Sequence, residues 1–106
     1  MLVQLQPVAS IEPAWKLNPL LDLQWRILDS SCLAFEAVSG ETAVIEALDA
    51  AALACFEERA QTIRQLVTEL AGDLQVEPNE ALREQAEGVV QEFLARGWLQ
   101  RLESHE

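Results

Sequence analysis

The chain has 106 residues, 50% hydrophobic and 24% charged, and its 18 Asp and Glu against 7 Lys and Arg give a formal charge of −11. That length builds one core rather than two, and the composition is that of a folding chain. The charge repels phosphate backbones and anionic lipid surfaces, and the basic residues are scattered, so nucleic acid and membrane are poor candidates and a basic or neutral partner is expected.

The N-terminus, Met1-Leu2-Val3-Gln4, lacks a basic start and a sustained apolar stretch, so no secretory signal is expected. The longest apolar run, residues 50–56, is too short to cross a bilayer, and a cytoplasmic location follows as an expectation. Pro7, Pro13 and Pro19 remove backbone donors and disfavour helix, which predicts an extended arm over residues 1–22 anchored by Trp15 and Leu17. Leu23, Trp25 and Ile27 then alternate with Gln24 and Arg26, the period of a half-buried strand. After a turn at residues 29–31, residues 32–38 alternate again and place Leu33, Phe35 and Ala37 on one face. Ser39-Gly40 supplies the reversal of a hairpin, and residues 42–45 form the returning strand.

Beyond Glu46 the period becomes helical. Leu48, Ala51, Ala52, Cys55 and Phe56 share one face of a first helix, with Asp49 in its opening turn. Thr62 and Gln65 form a capping box for a second, in which Ile63, Leu66, Val67 and Leu70 make the buried stripe and Gly72 marks the stop. A third runs from Pro78 or Asn79 to Arg96, with Leu82, Ala86, Val89, Val90, Phe93 and Leu94 on one face and Gly97 past its end. Trp98 and Leu99 fold back. Gly88 inside this helix costs about 1 kcal/mol relative to Ala, and either close approach by another element or a neutral accident would explain it.

The residues of common catalytic sites are missing. The single histidine, His105, is next to last, where a fraying end holds no general base in register. With Cys32 and Cys55, only three Cys or His residues exist, too few for a structural zinc site, and the four glycines lie too far apart to cradle phosphate. Glu57-Glu58 and the third-helix acids Glu80, Glu84 and Glu87 read as solvated faces.

Taken together, Trp25-Arg26-Ile27-Leu28-Asp29, residues 35–38, Ser39-Gly40-Glu41-Thr42, the run to Leu48 and Leu53, the second helix over residues 62–70 and Gly97-Trp98-Leu99 resemble the PqqD-like family. These are small peptide-binding chaperones, also called RiPP recognition elements, and the resemblance covers about residues 15–102. The chain is most similar to a subset encoded beside proteins related to the HPr kinase; the better-known members deliver a peptide to a radical SAM enzyme. It departs from the family at Ala43, where members often carry a histidine after the hairpin threonine.

The resemblance implies an α+β, winged-helix-like domain over residues 23–102, a three-stranded antiparallel sheet followed by three helices, with a flexible tail at residues 103–106. It implies a non-enzymatic chaperone, without cofactor or metal, that presents a precursor (leader) peptide to a modifying or kinase-related enzyme. The peptide would add a strand along Thr42, Ala43, Val44, Ile45 and Glu46, in a groove walled by Leu82, Arg83, Ala86, Val90 and Phe93. Two alternatives stay open: a winged-helix transcription regulator, and a structural adaptor subunit whose strand edge pairs with a neighbour or a second copy as a homodimer.

Overall fold

The structure, a computed structural model, describes residues 12–102; Pro7 with the start of the arm, and the tail with His105, lie outside the described residues. In chain order the elements are β1 (Ala14–Leu17), β2 (Leu23–Ile27), β3 (Ser31–Glu36), β4 (Glu41–Glu46), α1 (Ala47–Glu58), α2 (Ile63–Leu74), α3 (Glu80–Ala95) and β5 (Leu99–Leu102). The architecture is α+β: a three-stranded antiparallel sheet of order β2-β3-β4 followed by three helices. A separate antiparallel pair, β1 with β5, joins the two ends of the described chain.

In the sheet, Trp25 lies opposite Ala34, which in turn lies opposite Ala43. Small side chains beside a tryptophan let α1 close down on this face, where Ala34, Ala43 and Ile45 are buried and Leu23, Trp25 and Cys32 pack against the core. Leu33 and Phe35 therefore occupy the outer face, and Phe35 is exposed. The alternation over residues 32–38 was expected to follow these larger apolar side chains; the core instead takes Cys32 and Ala34, one residue out of step, which reverses every side chain of the strand. Ile27, expected among the half-buried positions of β2, is 82% exposed.

Helix α1 is the centre of the molecule. It touches β1, β3, β4, α2 and α3, and it buries Ala50, Ala52, Leu53, Cys55 and Phe56, a spread wider than one stripe. Helix α2 starts at the Thr62 capping box, whose hydroxyl accepts from the Gln65 amide while the Gln65 side chain accepts from the Thr62 amide. It does not stop at Gly72 but runs one half-turn further, to a left-handed Gln75 (φ 60°) whose amide donates to Ala71 and Gly72 carbonyls. Asn79 caps α3 through its side-chain oxygen and the Leu82 amide, and Gly97 takes the left-handed position past its end (φ 83°). Leu82, Ala86, Val89, Val90 and Phe93 are buried as their spacing requires, each fully buried Leu, Val or Phe contributing about 1.5–3 kcal/mol.

The arm docks. Trp15 exchanges two main-chain hydrogen bonds with Gln61, at 2.8 and 2.9 Å, and the Asn18 amide donates to the Trp98 carbonyl at 2.8 Å. Its register with β5 runs from Ala14 opposite Leu102 to Leu17 opposite Leu99. Among the described residues no helix is long and apolar enough to cross a membrane.

Candidate functional site

Hydrogen bonds at the strand ends decide which main-chain groups of the sheet are free. Antiparallel partners alternate between bonded and non-bonded pairs. The Leu28 amide donates to the Ser31 carbonyl and the Ala37 amide to the Asp22 carbonyl, so Ser31, Leu33 and Phe35 spend their main-chain groups on the β2 side. Cys32, Ala34 and Glu36 are left to bond β4 through Ile45, Ala43 and Glu41. The main chain of Thr42 and Val44 and the amide of Glu46 consequently point away from β3, and no strand lies beyond them among the described residues.

The hairpin that presents this edge is held by a carboxylate in its elbow. Glu36 is buried, and its oxygens accept from the amides of Asp22 (2.9 Å), Val38 (3.1 Å) and Ser39 (2.8 Å). The Ser39 hydroxyl, first among these influences, and the Asp22 amide lower its pKa to about 2. Ser39 also accepts from the Glu41 amide, and Gly40, at φ 80°, completes the reversal.

Helix α3 is tied near its C-terminal end to the start of β4 and near its N-terminal end to the first turn of α1, so it runs opposite to β4. At the start of β4, the Glu41 carboxylate pairs with the Arg96 guanidinium and accepts from the Trp98 indole N–H at 3.1 Å. Arg96 also pairs with Glu92 at 3.5 Å and lies over the rings of Phe93 and Trp98. Just after β4, Asp49 in the first turn of α1 accepts from the Gln85 side chain. Helical spacing therefore turns the stripe of Gln85, Val89, Glu92 and Arg96 toward β4. Gly88 flanks that stripe, and a Cβ there would meet no atom within 4 Å. Of the two readings of Gly88, close approach by another element is not seen among the described residues, which leaves the neutral one.

The expected site residues divide accordingly. Thr42, Val44 and Glu46 are exposed along the edge, whereas the Ala43 and Ile45 side chains turn inward and are buried. Leu82, Ala86, Val90 and Phe93 face the core instead of an open groove, because the apolar stripe is what packs the helix onto the rest of the chain. Arg83 lies exposed on the opposite flank and pairs with Glu87 at 3.3 Å. Val90 borders a hollow of about 450 Å³ on that flank, with Trp15, Ile63 and Leu94. The side facing β4 carries Gln85, Glu92 and Arg96 about the buried Val89, and its signal in the sequence is the set of polar positions that flank the buried ones.

Two other features complete the surface. Leu33 and Phe35, with Gln24, Arg26 and Thr42, line a shallow depression of about 380 Å³ on the outer sheet face next to the open edge. Between α1 and α2, burial first and then the adjacent Glu69 carboxylate push the Cys55 thiol up to about 12. No group of three or more His, Cys, Asp or Glu side chains among the described residues is arranged to hold a metal ion. Comparison with family models, with curated proteins and with solved structures gives no match for the chain.

Proposed function

We propose that the chain is a cytoplasmic, non-enzymatic peptide chaperone that accepts an extended precursor peptide as an added strand on β4 and presents it to a modifying enzyme. The observation that carries this reading is the row of outward main-chain groups on Thr42, Val44 and Glu46 with α3 standing alongside. An extended segment satisfies such groups by backbone pairing, which needs no catalytic side chain. Four or five ladder bonds at about 1 kcal/mol each supply about half of the roughly 8 kcal/mol of a micromolar complex. Side chains in the cleft between β4 and α3 supply the remainder. The resemblance to peptide-binding chaperones in the order and spacing of the hairpin and helices supports the same reading.

Val44→Pro is the direct test. The Val44 amide bonds to nothing in the sheet, so proline removes the donor a visiting strand needs without breaking the β3–β4 ladder. Peptides selected from a random displayed library on the full chain should perturb the amides of Thr42, Val44 and Glu46 in NMR titration. They should bind the V44P variant at least about tenfold more weakly, while its melting temperature stays close to that of the parent. Equal affinity for both proteins, or perturbation confined to another surface, would remove the proposal.

A further inference from the structure

We infer that the occupant of the β4 edge is an extended segment that places basic side chains toward α3 and apolar ones toward the outer sheet face; this rests on the strand-addition reading above. Three carboxylates border the cleft: Glu41 on β4, Asp49 just after it, and Glu92 on the facing stripe. The one cation on the same border, Arg96, is already shared between Glu41 and Glu92 and stacked on two rings. An acidic side chain would have to displace Glu41 to reach it. Asp49 is met by a neutral amide, so three carboxylates face a single guanidinium and the cleft keeps a net negative charge.

An added strand turns alternate side chains to opposite faces. Those on the inner side meet Gln85 and Glu92, with room for a long side chain over Gly88, where nothing lies within 4 Å of a Cβ position. Those on the outer side continue the open surface of Val44, Leu33 and Phe35, apolar up to Glu46 at the end of the strand. The geometry thus asks for Lys or Arg at every second position and apolar residues between them. The charge of −11 on the whole chain steers such a segment toward the protein before contact.

The test starts from a displayed library in which acidic and basic residues are equally represented, panned on the full chain. Binders that perturb the Val44 amide should carry an excess of Lys and Arg over Asp and Glu, and replacing those residues by Gln should weaken binding about tenfold or more. In the Asp49→Asn, Glu92→Gln double variant that difference should shrink to about threefold or less; the asparagine oxygen still accepts from Gln85 and Glu92 is exposed, so the fold tolerates both changes. Binders that perturb Val44 without a basic excess, or whose Gln analogues bind equally well, overturn the charge preference and leave strand addition standing. Binders that leave Val44 unmoved, or none at all, overturn both.

Discussion

Glu36 looks out of place in the core until its partners are counted. Three amides and a hydroxyl converge on one carboxylate, so its ionised form is the one the hairpin elbow is built around. The sign of the pH effect follows. With a folded pKa near 2 against an ordinary 4.5, its stabilisation is complete above 4.5 and is lost as the pH falls through that window toward 2. Glu36→Gln should therefore lower the melting temperature most at neutral pH, and the gap from the parent should close as both are melted at successively lower pH below 4.5. A gap that stays constant down to the acid limit would show that the charge is not what the elbow holds. Cys55 gives the converse case. Its thiol is buried beside Glu69 and raised to about 12, so a thiol reagent at neutral pH should leave it unlabelled in the folded chain and reach it only in denaturant.

Among the elements, α2 shows how far local sequence reaches. Its start is written in Thr62 and Gln65, and both reciprocal bonds are present. Thr62→Ala should cost about 1 kcal/mol in urea unfolding, with the midpoint shifted and the slope unchanged. The same logic located β2, β3, β4 and the caps of α3, because turns and caps are decided by neighbours a few residues apart. It failed at Gly72, since a glycine can end a helix but the bonds of Gln75 and Val76 to Ala71 decide where this one ends. It failed on the face of β3, where Cys32 and Ala34 compete with Leu33 and Phe35 as candidates for the core. The choice was made across the sheet by Trp25 and from above by α1, and neither is visible in residues 31–36. The open edge of β4 was legible as the last strand of a meander. The flank of α3 that faces it was not, since its orientation comes from contacts such as Glu41 to Arg96, 55 residues apart.

At the scale of the whole molecule, Trp98 is where separately built parts meet. Its ring lies 5.3 Å from that of Phe93, its indole N–H reaches Glu41 on β4, and its carbonyl accepts from Asn18 on the arm. The hairpin, the last helix and the arm, three regions distant in sequence, are thus joined through one buried side chain and its main chain. Trp98→Ala should cost about 3–5 kcal/mol in chemical denaturation, a large part of the 5–15 kcal/mol that holds a domain of this size together. Trp98→Phe is the finer instrument, because it keeps most of the buried ring and removes the bond to Glu41, at a cost of about 1 kcal/mol for that bond. If Trp98 holds Glu41 against Arg96, the phenylalanine variant should also free the Glu41 carboxylate, seen as a shift of the Glu41 amide and of the Arg96 side-chain N–H in NMR spectra. A chain that loses stability in Trp98→Ala but shows no change at Glu41 or Arg96 in Trp98→Phe would mean that the tryptophan fills space without setting the width of the cleft. In that event the alignment of α3 beside β4 would rest on Asp49 and Gln85 at the other end.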